Sequence, residues 1–135
     1  MVHALSEARR TLKPGGWLID LRPTKRDRRI ELDMPGGCVY IGEVDASATS
    51  PERDAADAAL GDAIAAKQLR ARHSALFEIV IDCDSADDLR DYAKGFRRSR
   101  LPAFILPRIE ELTAHADDFL IRIRREMTIA LYRRL

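Results

Sequence analysis

Apolar residues along this chain change their spacing several times, and each change predicts an element. Ala4, Ala8 and Leu12 recur every four residues, which predicts the end of a helix stopped by Pro14, Gly15 and Gly16. Trp17, Leu18, Ile19 and Leu21 then form a nearly continuous apolar run broken only by Asp20. Such a run fits a strand covered on both faces, as in parallel sheets. Asp20 and Arg22 fall at its carboxyl end, before Pro23.

Alternation follows. Ile30, Leu32 and Met34 alternate with Glu31 and Asp33, Pro35, Gly36 and Gly37 supply turn chemistry, and Cys38, Val39, Tyr40 and Ile41 resume a strand. This predicts a β-hairpin. Ser50 as an N-cap, Pro51 at the first helical position and Glu52 in the first turn predict a helix. Its stripe, Ala56, Leu60, Ala63, Ile64 and Ala71, carries it to about His73. Residues 76–83 read as a strand with Phe77, Ile79 and Ile81 on one face. Ser85 and Asp88 form a capping box opening a helix whose inward stripe is Leu89, Tyr92, Ala93 and Phe96. Pro102 and Pro107 bracket a break, and Pro107 opens a short helix carrying Ile109 and Leu112.

The last segment fits two periods. Over residues 119–135, seven of nine odd positions are apolar against three of eight even ones, which favours a long strand. Leu120, Ile123, Met127 and Ala130 would also serve a helix; strand is the expectation. No repeat or linker divides the chain, so residues 1–135 are expected to form one domain.

Composition narrows the function. Hydrophobic residues at 46% and charged residues at 33% suit a globular chain rather than a disordered one. A net charge of +1 provides no global field towards nucleic acid or membrane. Cys38 and Cys83 are isolated and are expected to be small buried thiols, not a disulfide framework. There is no apolar run of membrane-spanning length and no signal-peptide core in residues 1–10, so a cytoplasmic location is expected.

The helix end, the Leu12-Lys13-Pro14-Gly15-Gly16 break and the following strand resemble the late part of a class I S-adenosylmethionine-dependent methyltransferase. There a helix runs through Leu-Lys-Pro-Gly-Gly into the fifth strand. The resemblance covers the carboxyl-terminal half of that fold. It implies a partial Rossmann-like α/β sheet (α+β as a fragment) holding strands five, six and seven, with the hairpin as an insertion. The family order is 3-2-1-4-5-7-6, with strand seven antiparallel to the rest. The cofactor half is what the resemblance leaves out, since the seven glycines of this chain contain no Gly-x-Gly.

Two functional expectations follow. The first is a half-domain that binds no S-adenosylmethionine alone and acts as an assembly module or as a fragment of a longer methyltransferase. Without strand four, the strand holding Trp17 and Leu21 would present a bare edge to a second copy or a complementary polypeptide. The alternative is a small-ligand binder, or a methyltransferase completed by a dimer or partner chain, with Asp20 and Arg22 in the site, because ligands of open α/β sheets bind beyond the carboxyl ends of strands.

Other chemistry is less favoured. Arg22, Lys25, Arg26, Arg28 and Arg29 are the densest basic cluster, but no aromatic residue is interleaved for base stacking, so a solvated loop is expected and nucleic acid is not. Arg97, Arg98 and Arg100 are read the same way. His3, His73 and His115 lack metal-ligand spacing. Asp82, Asp84, Asp87, Asp88 and Asp91 lack the glycine and glutamate of a calcium loop and are explained by a helix start. Trp17, Tyr40 and Phe104 are expected in the core.

Overall fold

The computed structural model describes residues 2–135, with side chains from Ala4 onward. The elements are α1 (Val2–Thr11), β1 (Trp17–Pro23), β2 (Arg29–Met34), β3 (Gly37–Glu43), α2 (Ser50–Ala65), β4 (Leu69–Cys83), α3 (Ala86–Lys94), α4 (Ile105–Thr113) and β5 (Leu120–Arg134). The fold is mixed α/β: four helices and a five-stranded, open, antiparallel sheet. Strands follow the order β1, β5, β2, β3, and β4 also pairs with β5. No described helix is long and apolar enough to cross a membrane.

The chain divides into two compact units. The first takes the described residues up to Lys25, then Thr49–Phe77 and Met127–Leu135. Here β1 pairs with the second half of β5, from Trp17 opposite Arg133 to Pro23 opposite Met127. The turn before β1 is built as its residues demand. Gly15 sits at φ 76°, and the Gly16 amide donates to the Lys13 carbonyl at 2.8 Å. Proline followed by a glycine at positive φ is type II turn chemistry. α1 packs against α2, and Leu60, Ala63 and Leu69 form a small core joined by Leu5, Leu18 and Tyr132. That burial explains why Leu18 faces the helices while Trp17, Ile19 and Leu21 point the other way and stay exposed.

The second unit holds Arg26–Ala48 and Glu78–Glu126. The hairpin β2–β3 turns through Pro35 and Gly36, the latter at φ 103°, and β2 pairs with the first half of β5. The core gathers Ile30, Leu32, Leu89, Ile105, Ile109, Ile121 and Ile123, each fully buried. The Ser85 cap forms as expected, its hydroxyl accepting from the Asp88 amide at 3.1 Å. The last segment is a strand, with Ile121, Ile123 and Met127 buried at odd positions.

Several expectations are corrected. β1 does not lie in a parallel environment covered on both faces: its neighbour is antiparallel and its Trp17 face is bare. The N-cap of α2 is Thr49, not Ser50, because a short 3-10 turn over Ser47–Thr49 leads into the helix. α2 ends at Ala65 rather than near His73, and β4 begins at Leu69 rather than Leu76. Lys67 closes α2 at φ 53°, with the Lys67 and Gln68 amides donating to Ile64 and Ala63. Glycine normally takes that left-handed position, so its usual stop signal was missing. Cys38 is exposed, and only Cys83 is buried. Trp17, Tyr40 and Phe104 are all more than half exposed rather than core.

Candidate functional site

β1 carries Leu18, Asp20 and Arg22 on one face because strand side chains alternate. That face lies over α1 and α2, and together they frame a groove of 210 Å³. Its walls are Ala4, Leu5 and Ala8 of α1 and Ala56, Ala59 and Leu60 of α2. Alanine on both helices leaves the space, since larger side chains there would fill it. The groove is apolar apart from one ion pair.

That pair joins the two residues singled out from the sequence. Arg22 Nε donates to Asp20 Oδ2 at 2.8 Å, and Arg22 Nη1 pairs with Asp57 Oδ1 at 2.8 Å. Asp20 stands mid-strand rather than at the strand end, opposite Ala130. The loop after β1 is tied to α2 as well: Lys25 Nζ pairs with Asp54 at 2.6 Å and Asp57 at 3.5 Å. Hydrogen bonding to Asp54 holds the Lys25 ammonium above its usual range. Arg53 reaches back, its Nη1 donating to the Thr24 carbonyl at 3.0 Å. Burial raises the Tyr132 phenol, and the Asp20 carboxylate adds to the same direction.

Chemically, the groove can accept an apolar group and offer a carboxylate and a guanidinium at one end. Among the described residues no serine, cysteine or histidine lines it. Asp54, Asp57 and Tyr132 were missed in the sequence. Asp57 follows the inward Ala56 on the helical pattern, but its pairing with Arg22 depends on how α2 lies over β1.

The remaining candidates are dispersed. Arg26 pairs with Glu126 at 3.3 Å and Arg29 with Glu78 at 2.9 Å, while the Arg28 guanidinium stacks 4.6 Å over the Phe96 ring. Arg22 and Lys25 are also held by acids, so four of the five cluster cations are ion-paired, while Arg28 rests on the Phe96 ring with its Nη1 buried and without a hydrogen-bond partner. Arg100 is likewise paired, with Asp45. Asp82, Asp87 and Asp91 pair with Arg122, Arg90 and Lys94. Among the described residues no group of three or more His, Cys, Asp or Glu could hold a metal; the His3 side chain lies outside them. Cys38 Sγ donates to Glu31 at 3.7 Å, and desolvation, with that carboxylate adding to it, pushes the thiol up. Among known proteins, no family model, no curated sequence and no solved structure matches the chain.

Proposed function

We propose that this chain is the carboxyl-terminal half of a methyltransferase-like sheet and serves as an assembly module, receiving a complementary polypeptide at β1. One observation carries this reading. β1, β5 and β4 are neighbours in that order, with β5 antiparallel between them, which is the 5-7-6 arrangement of the family's late strands. α2 connects β1 to β4, as a crossover between strands five and six requires. Two departures stand beside it: the hairpin β2–β3 paired to the first half of β5, and the pair of helices α3 and α4 before β5.

The edge of β1 away from β5 pairs with no described strand, and a strand-four neighbour would occupy it. Trp17, Ile19 and Leu21 are 51%, 61% and 56% exposed beside it, a face suited to burial by that neighbour's helices. The groove does not fit S-adenosylmethionine. At 210 Å³ it is below the roughly 300–1,000 Å³ of ordinary ligand sites, and its lining has no glycine turn for a nucleoside. The cofactor, in this reading, belongs to residues of the complementary half.

Calorimetric titration of the chain with S-adenosylhomocysteine tests the proposal. No heat at about millimolar ligand is the expected result. Micromolar binding, about −8 kcal/mol, would overturn it. The second reading is a small-ligand binder, favoured by the apolar groove ending at the Asp20–Arg22 pair. It would gain if a binding heat for an apolar amine or carboxylate vanished in Arg22→Ala.

A further inference from the structure

A second cleft lies within the first unit, where the second half of α1, the turn between α2 and β4 and the end of β5 meet. Its volume is 500 Å³, inside the roughly 300–1,000 Å³ of ordinary ligand sites that the Asp20–Arg22 groove falls below. Ser6, Arg9 and Arg10 of α1 form one wall, Lys67 and Gln68 of the turn another, and Arg134 of β5 the third. Four cations line the cleft, and among the described residues no acidic side chain does.

The fold accounts for part of this charge. Arg10 Nε donates to Glu7 Oε2 at 2.9 Å, and Arg134 Nη1 donates to the Leu12 carbonyl beyond α1. Arg9, in the last turn of α1, suits the negative end of the helix dipole. Lys67 has no such explanation. It sits at φ 53°, a left-handed position that glycine fills without strain. Neither Lys67 nor Arg9 has an ion-pair partner among the described residues. The backbone that carries these groups is pinned. The Arg134 amide donates to the Gly16 carbonyl and its carbonyl accepts from the Gly15 amide, both at 2.9 Å. The Gln68 amide donates to the Ala63 carbonyl at 2.9 Å, and its carbonyl accepts from the Leu135 amide at 3.2 Å. The cations are thus gathered on a preorganised frame.

We propose that this cleft binds a phosphorylated small molecule, its phosphate received between Arg9, Lys67 and Arg134. Guanidinium forks match phosphate oxygens in pairs, and a lysine adds a point charge on a flexible stem. Arg134 keeps donors beyond the one given to Leu12, since a guanidinium carries five N–H groups. Cations gathered without acids favour a group with two or more negative charges over a single carboxylate. Ser6 and Gln68 supply neutral donors for the rest of the molecule. The cleft shares no lining residue with the Asp20–Arg22 groove. S-adenosylhomocysteine has no phosphate, so its titration does not report on this site.

Calorimetric titration of the intact chain with pyrophosphate at about 50 mM salt tests this, with a saturable heat and a Kd below about 1 mM expected. Lys67→Gly should weaken binding at least about fivefold while melting no lower than the parent, because glycine accepts the left-handed turn. A lysine that served only the fold would not separate those two readouts. Arg9→Gln should weaken binding to a similar degree. Arg97→Gln, at an exposed arginine of the second unit, should leave it unchanged. No heat, or a Kd above about 1 mM, would overturn the proposal. So would a heat that survives Lys67→Gly and Arg9→Gln, one that falls equally in Arg97→Gln, or one given by citrate and not by pyrophosphate.

Discussion

Gly42 is a residue whose identity is dictated by its surroundings. A Cβ there would lie 2.6 Å from Ile105 Cδ1 and 3.0 Å from Phe104 Cζ. The Phe104 ring is exposed and can swing away, but Ile105 is fully buried and packed. Gly42→Ala should therefore destabilise the fold by about 1–3 kcal/mol, read as a lower urea midpoint. Stability equal to the parent would mean that Ile105 has room to retreat. Glu31 makes a different point. Arg124 Nε donates to it at 2.7 Å, and that bond holds its carboxyl below the usual range. A depressed carboxylate contributes stability above its unfolded pKa and loses it as pH falls through the folded one. Glu31→Gln should cost up to about 1 kcal/mol at neutral pH and converge with the parent in the acid range. Parallel stability curves from pH 7 to 3 would refute that role.

At the scale of elements, α3 is the plainest case of local chemistry deciding structure. Ser85 is extended, its hydroxyl caps the Asp88 amide, and Asp87 and Asp88 sit in the first turn where the helix dipole favours acids. Ser85→Ala should cost about 1 kcal/mol in chemical denaturation, whereas Ser50→Ala should cost less, because Ser50 caps nothing. Equal losses would contradict the assignment of the caps. β5 illustrates the opposite situation. Its odd-position pattern was readable as a strand, but β2 pairs with Leu120–Arg124 and β1 with Met127–Arg133 on the same strand, and that division has no signature in the residues. The α2–β4 boundary differs from the expected one for a related reason. Lys67 takes a position that glycine would have announced, and Ala71 is compatible with either period.

For the molecule as a whole, the relevant quantities are the free edges of the sheet, which belong to β1, β3 and β4. The β1 edge is the one that the proposed assembly leaves available to a complementary half.

Alternation, helical spacing and turn residues determined the elements of this chain, including both hairpin strands, the Ser85 cap and the final strand. Those signals are local: they depend on period and on backbone preferences that each residue carries with it. The sequence also marked Asp20 and Arg22, two residues apart on one strand and hence on one face. Only the tertiary structure decided that Asp57 completes their ion pair, that Trp17, Tyr40 and Phe104 lie outside the core, and that β4 extends to Leu69. Each of these depends on which surface another segment happens to cover, a relation between residues distant in sequence that no local pattern encodes.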